Sequence, residues 1–177
     1  MENQFLIRNA TLEDINQIME VEKNGFIPQI QEEQAVFEER IKICPELFLV
    51  FQDETFKIVG YLSAEYLEKI PQSADELKLG HFPKKIENKN ELIIYISSFS
   101  ILPECRGNKN GTKLWNKSLE FLEKKHSSKV KFVLLVNELW EKAVHIYEKS
   151  GFKITKIFPD FFLTVENTFS YGILMER

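Results

Sequence analysis

The chain reads as an α/β protein built on a mixed sheet, and three observations carry that reading. Leu92 to Leu102 is a long apolar strand that stops at Pro103 and runs through a glycine-bearing loop into an amphipathic helix. Lys131 to Val136, nearly all β-branched or Leu, then follows as a buried strand. Strand, helix and strand in that order make a right-handed crossover with a parallel pair. Upstream, Leu47 to Phe51 and Phe56 to Tyr66 are strands joined by Gln52-Asp-Glu-Thr55, an antiparallel hairpin.

The remaining elements fall into place around this unit. Phe5 to Arg8 is a short strand. Thr11-Leu-Glu-Asp14 caps a helix whose Leu12, Ile15, Ile18, Met19 and Glu22 recur at helical spacing. Gly25-Phe-Ile-Pro28 breaks that helix, and Glu32 to Ile43 forms a second. Lys69 to Asn90 is a long polar connection with Pro71, Gly80 and Pro83, and connections of that length tend to carry function. The helix after the loop buries Leu114, Trp115, Ser118, Leu119, Phe121 and Leu122 as one stripe. Leu139 to Ser150 is the last helix, closed by Gly151 at the C′ position. Phe152 to Arg177 supplies one or two strands and an aromatic-rich loop. With no internal repeat and no linker, residues 1–177 are expected to form a single domain.

Composition narrows the function classes. A hydrophobic content of 44% with 28% charged residues is ordinary for a globular chain. Acids outnumber Lys plus Arg by 27 to 23, which gives no general affinity for nucleic acid or an anionic membrane. Cys44 and Cys105 are the only cysteines, so no disulfide framework is implied. The three histidines, His81, His126 and His145, form no metal pattern with Cys or acids. His145 lies about 160° round its helix from Tyr147 and should face away from it. No leader-like or membrane-spanning run is visible, and a cytoplasmic protein, monomer or homodimer, is expected.

Against the acidic average, the charges between Cys105 and Leu119 are all positive: Arg106, Lys109, Lys113 and Lys117. A loop that opens a helix aims unpaired N–H groups at one point, and the helix dipole adds positive potential there. This is an anion site, read as a phosphate site. The Walker pattern fails because Thr112 stands five steps after Gly107, and no G-x-G-x-x-G occurs. Arg106-Gly-Asn-Lys-Asn-Gly111 resembles the Q/R-x-x-G-x-G/A loop of the GNAT N-acetyltransferase superfamily, with Lys109 in place of its first Gly. Asn137, Ala143 and Tyr147-Glu-Lys-Ser-Gly-Phe152 resemble that family's second signature. The two motifs are joined by the right strand-helix-strand unit, and the order of elements fits over nearly the whole chain.

The resemblance implies a GNAT-like fold: a central, mostly antiparallel sheet with a splayed parallel strand pair and helices on both faces. It implies acetyl-CoA as co-substrate, no metal, and acetyl transfer to a primary amine, small molecule or peptide, by direct attack in a ternary complex. The pyrophosphate is expected on the Arg106, Gly107, Asn108, Lys109, Asn110, Gly111 and Thr112 loop, with the Lys109 side chain pointing outward as a phosphate cation. The pantetheine arm is expected along Phe99, Ser100 and Ile101, with Asn137 nearby. Tyr147 is expected to be the general acid for the leaving thiolate. Tyr95, Ser97 and Ser98 occupy the strand positions where some relatives carry a base, and none is a good one. Glu65 or Asp160 acting through water are candidates, each with a plainer reading as a solvated charge. Phe26, Phe158, Phe161 and Phe162 are candidates for a hydrophobic acceptor wall, with Glu32, Glu33 and Asp160 to attract an amine. The alternative function is a catalytically weak CoA-binding module with a regulatory or interaction role, suggested by Lys109 and the missing base.

Overall fold

A computed structural model of the protein describes residues 5–86, 92–126 and 130–177. Among these, seven strands form one mixed sheet: β1 (Leu6–Asn9), β2 (Phe48–Gln52), β3 (Ile58–Leu67), β4 (Ile93–Ile101), β5 (Lys131–Asn137), β6 (Lys153–Leu163) and β7 (Phe169–Glu176). Their order is β1-β2-β3-β4-β5-β7-β6, antiparallel throughout except for the β4–β5 pair. The longer helices are α1 (Ile15–Gly25), α2 (Gln34–Ile43), α3 (Asn110–Lys125) and α4 (Glu141–Lys149).

Helices cover both faces, as strand alternation requires. Phe37 of α2 meets Tyr61 of β3 with ring centroids 5.4 Å apart, and Trp115 of α3 meets Phe99 of β4 at 5.3 Å. Phe99 pairs with Leu62, the residue after Tyr61, so these contacts lie on opposite faces of the sheet. Tyr147 of α4 stacks on Trp115 at 4.4 Å and joins the α3 face. The end of α1 presses on the α2 face, where a Cβ at Gly25 would sit 2.1 Å from Ser100 Oγ. A smaller second core of Leu77, Tyr95, Val133, Phe158 and Leu174 lies beside α1 and α2.

Element boundaries shift from expectation where side chains bind the backbone. A 3₁₀ turn at Leu12–Asp14 precedes α1, fixed by a Thr11–Asp14 capping box and by Arg8 forked on Asp14 at 2.7 and 2.8 Å. The second helix begins at Gln34 instead of Glu32, because Glu22 Oε1 accepts the Glu32 N–H at 2.7 Å and Glu32 Oε1 accepts the Glu33 N–H at 3.0 Å. Those bonds hold the chain extended there. β3 begins at Ile58 instead of Phe56, which takes a φ of 67° in a turn built on Asp53. The aromatic-rich loop turns out to be an irregularity inside β6, where Pro159, Asp160 and Phe161 stand opposite Tyr171 alone. Gly172 makes room for it: a Cβ there would lie 3.1 Å from Phe161. α4 ends as expected, with Phe152 N bonded to Tyr147 O at 3.1 Å and Gly151 N to Glu148 O at 3.0 Å.

Candidate active site

The parallel pair comes apart. β4 and β5 pair only from Ile93↔Lys131 to Ile96↔Leu134. Beyond that point β4 follows β3 as far as Ile101, while β5 follows β7 as far as Asn137. Ser97 marks the start of the split as an extra residue, since Ser98 pairs with Ser63 but Ile96 with Ala64. A cavity of about 650 Å³ opens in the gap. Phe99, Trp140, Ala143 and Tyr147 line it from the α3–α4 face, and Glu22, Arg40, Tyr95 and Ser98 from the α1–α2 face.

At the end of β4 the chain turns through Pro103–Cys105 and then takes three consecutive left-handed residues: Gly107 (φ 96°), Asn108 (47°) and Lys109 (60°). Lys109 therefore adopts a conformation that costs an ordinary residue about 1–2 kcal/mol. The turn is held by Asn110, buried, whose N–H bonds to Gly107 O at 2.8 Å and whose Nδ2 bonds to Cys105 O at 3.0 Å. Among the described residues, the N–H groups of Gly107, Asn108, Lys109, Gly111 and Thr112 make no hydrogen bond. Consecutive free N–H groups in this geometry, backed by the start of α3, form an anion-binding concavity. Lys109 is exposed.

The other expected site residues divide. The Phe99 side chain lines the cavity, whereas Ser100 and Ile101 are buried and do not line it. Arg106 Nε donates to Ile101 O at 2.9 Å, so Arg106 braces the loop against β4. Asn137 Oδ1 accepts from Leu139 N at 2.9 Å and Ser170 Oγ at 3.0 Å, which fixes the β5–α4 turn. The Tyr147 hydroxyl has no hydrogen-bond partner among the described residues, and burial alone pushes its pKa up, so it stays a phenol with a proton to give. His145 is exposed and off the cavity, as its position on the helix requires.

A family model described as Acetyltransferase (GNAT) family matches residues 12–152. The chain belongs to the GNAT acetyltransferase family. Solved structures of this family agree in fold. The loading GNATL domain of CurA from Lyngbya majuscula is 17% identical with a TM-score of 0.77, over 98% of this chain and 97% of that one. The ribosomal-protein-S18-alanine N-acetyltransferase of Escherichia coli is 13% identical (TM-score 0.72, 98% and 92% covered). Arabidopsis thaliana Naa50, solved with the bisubstrate analogue CoA-Ac-MVNAL, is 16% identical (TM-score 0.71, 98% and 97% covered). At these identities the likeness is one of fold. No curated protein sequence matches the chain. Among the described residues, no helix is long and apolar enough to cross a membrane, and no cluster of His, Cys, Asp and Glu could hold a metal.

In this member of the family, the α1–α2 side of the cavity holds groups that the sequence did not single out. Glu22 is 1% exposed. Tyr61 donates a short hydrogen bond to its Oε2, and Tyr61 Oη shares a 2.8 Å bond with Ser98 Oγ. Burial lifts the Glu22 carboxyl to a pKa of about 7 against the Glu32 N–H and Tyr61 hydrogen bonds, which lower it; the Glu32 charge adds a smaller rise and Arg40 opposes it. Burial and the Glu22 charge push Tyr61 well above the ordinary tyrosine range.

A second buried group lies alongside. Arg40 Nη2 sits 3.4 Å from Glu32 Oε2 and 3.5 Å from Glu65 Oε1, and Glu65 Oε1 lies 2.6 Å from His81 Nε2. The Glu65 carboxylate raises the His81 pKa. Glu65 and Glu32 are thus buried ion-pair members, neither solvated charges nor free to draw in an amine. Glu33 and Asp160 are exposed, Asp160 at the rim of the cavity. Phe158 belongs to the second core, leaving Phe26, Phe161 and Phe162 on the cavity wall. One signal for Glu22 was present: an acid on the apolar stripe of α1, in register with Ile15 and Ile18.

Proposed function

We propose that the protein moves an acetyl group from acetyl-CoA to a primary amine held in the same cavity. The observation that carries this is a pair of groups facing one split in the sheet: a phenol without a hydrogen-bond partner on one face and a buried carboxyl on the other. The residues present fit the co-substrate. The open N–H groups of the Gly107–Thr112 turn suit a pyrophosphate, and the unpaired side of β4 beyond Ile96 suits the amides of a pantetheine arm. Acetyl-CoA would supply an acyl carbon already activated as a thioester.

The chain's own groups then handle two protons. The amine nitrogen bonds to the acyl carbon as the carbon–sulfur bond breaks, one proton leaving nitrogen and one joining sulfur. Tyr147 donates to the departing sulfur. On the opposite face Ser98, Tyr61 and Glu22 form a hydrogen-bonded relay, with Ser98 at the cavity and Glu22 as the final acceptor. A base works best with a pKa near the working pH, and burial has placed Glu22 there. An alkylamine of pKa about 10.4 arrives as an ammonium, so the relay takes its extra proton before attack, and the second nitrogen proton, released as the amide forms, restores the one that Tyr147 gives to sulfur.

The test is amine-dependent release of CoA thiol, run beside a thermal shift with CoA. Stabilisation by CoA together with one acetylated amine per thiol released supports the reading. Stabilisation with no turnover on any amine would leave a binding module instead, and no stabilisation at millimolar CoA would remove the co-substrate itself.

A further inference from the structure

The connection between β3 and β4 meets the cavity as a short strap. Leu77 and Pro83 are buried and anchor its two ends, whereas Leu79 and Phe82 between them are 51% and 54% exposed. Lys78 and Leu79 line the cavity. Apolar packing therefore holds the anchors and does little for the span between them. Two polar contacts tie that span to the body of the protein. Gly80 N–H donates to Glu32 Oε1 at 3.0 Å, and His81 Nε2 lies 2.6 Å from Glu65 Oε1.

The His81 contacts fix its protonation. Nδ1 lies 2.8 Å from the Lys78 carbonyl oxygen and Nε2 faces the Glu65 carboxylate, so both partners are acceptors. A neutral imidazole has one N–H and one lone pair, and would set that lone pair against one of these oxygens. Imidazolium, with two N–H groups, satisfies both. The charge count agrees. Glu32 and Glu65 flank Arg40 Nη2 at 3.4 and 3.5 Å, and all three residues are buried. Two carboxylates and one guanidinium leave one negative charge uncompensated in the interior, which is costly. His81 supplies the second cation.

We propose that the His81 imidazolium is a proton-operated latch: it holds the Lys78–Phe82 strap against the Glu32–Arg40–Glu65 cluster, and loss of its proton frees the span. The groups that act on the ring are Glu65 from β3, Arg40 from α2 with Glu32 behind it, and the Lys78 carbonyl of the connection itself. The Tyr95 phenol of β4, its ring 6.4 Å away, adds no charge. The hydrogen bond to Glu65 is the chief cause that raises the His81 pKa above the ordinary 6.5, against burial and Arg40. Closure is therefore at full strength below 6.5 and is lost as the pH climbs through the raised value. Once the strap lifts, water reaches Glu65 and solvates the charge that His81 no longer balances. The latch stands on these contacts alone. Its consequence, that the wall which Lys78 and Leu79 give the acceptor space opens as the pH rises, rests on the transfer reading above.

Two measurements on the full chain without co-substrate test the latch. Nitrogen NMR of the imidazoles, with His81 assigned by its loss in His81→Gln, should show both His81 ring nitrogens protonated at about pH 6 and a titration midpoint above 6.5. Amide exchange of Lys78–Phe82, corrected for its intrinsic pH dependence, should be level below about pH 6. Above that, protection should fall by up to about tenfold per pH unit until His81 has titrated. Glu65→Gln keeps the shape and removes the charge that calls for a cation. In that variant His81 should titrate at or below 6.5, and the strap should show no such fall. A His81 midpoint at or below 6.5 in the unmodified chain, protection that stays level up to about pH 9, or the same fall in Glu65→Gln would each overturn the latch. These readouts involve neither CoA binding nor amine-dependent thiol release, so the transfer reading stands or fails separately.

Discussion

Replacing Glu22 with Gln removes a charge and keeps the shape. The Gln carbonyl can still accept the Glu32 N–H, and its amide can donate to Tyr61 Oη in place of the bond Tyr61 now makes to Glu22. In the folded protein the Glu22 carboxyl holds its proton up to about pH 7, against an ordinary value of 4.5. A group raised in this way contributes its full stability below the unfolded value and loses it as the pH climbs through the folded one. Between about pH 5 and about pH 8 the unmodified chain should therefore lose about 2–3 kcal/mol relative to Glu22→Gln, at about 1.36 kcal/mol per pH unit. Urea unfolding of both proteins at the two pH values measures this, because titrations not coupled to Glu22 cancel in the difference. The same substitution should erase the rise in single-turnover rate near pH 7 and lower the plateau by about 10²–10⁴-fold, as loss of a general base does. If the stability gap is constant within about 0.5 kcal/mol, or if the rise near pH 7 survives, Glu22 is not a buried proton acceptor.

Further outcomes follow from the same geometry. Tyr147→Phe should leave acetyl-CoA affinity unchanged and cut the single-turnover rate by about 10–100-fold; an unchanged rate would make Tyr147 a packing partner of Trp115 and nothing more. A Cβ at Gly111 meets only Ile146 Cδ1 at 3.9 Å and Ile101 Cδ1 at 4.0 Å, so Gly111→Ala should fold normally, yet it narrows the gap between α4 and the end of β4. CoA affinity by calorimetry should fall at least about tenfold, a drop the empty protein's melting point will not mirror. Lys109→Gly removes the cost of a side chain at φ 60° and should raise stability by up to about 1 kcal/mol in urea unfolding, while CoA binding weakens or holds. Arg40→Met strands the Glu32 and Glu65 carboxylates in the interior and should cost about 3–5 kcal/mol by the same measurement.

The backbone was legible in the sequence because its signals are local. Pro103, Gly107, Gly111 and Gly151 mark turns whose geometry is set within a few residues, and the β-branched run Lys131 to Val136 needs no partner to declare itself a strand. The same locality placed Tyr147 on the cavity side of α4 and His145 away from it. The chemistry of the α1–α2 face was not legible, because it depends on contacts between residues far apart in sequence. Glu65 reads as a strand-end charge until Arg40 and His81 are seen against it, 3.5 and 2.6 Å away. Glu32 reads as an acid for an incoming amine until Arg40 and the Gly80 N–H occupy it. Glu22 acquires its character from Tyr61, 39 residues on, and from burial, which periodicity hinted at but could not distinguish from a helix-edge acid. The departure at Lys109 was visible as a residue type, and the left-handed conformation it must adopt is what the structure adds.

The most direct test of the account is a single-turnover reaction: protein preloaded with acetyl-CoA, mixed with a panel of primary amines, and followed by mass spectrometry of the amines beside titration of the free thiol. The account predicts acetylated amine and CoA thiol appearing together in one-to-one ratio, faster as the pH rises toward 7 and level above it. Thiol without acetylated amine, or neither product from protein whose melting point acetyl-CoA has raised, would contradict it.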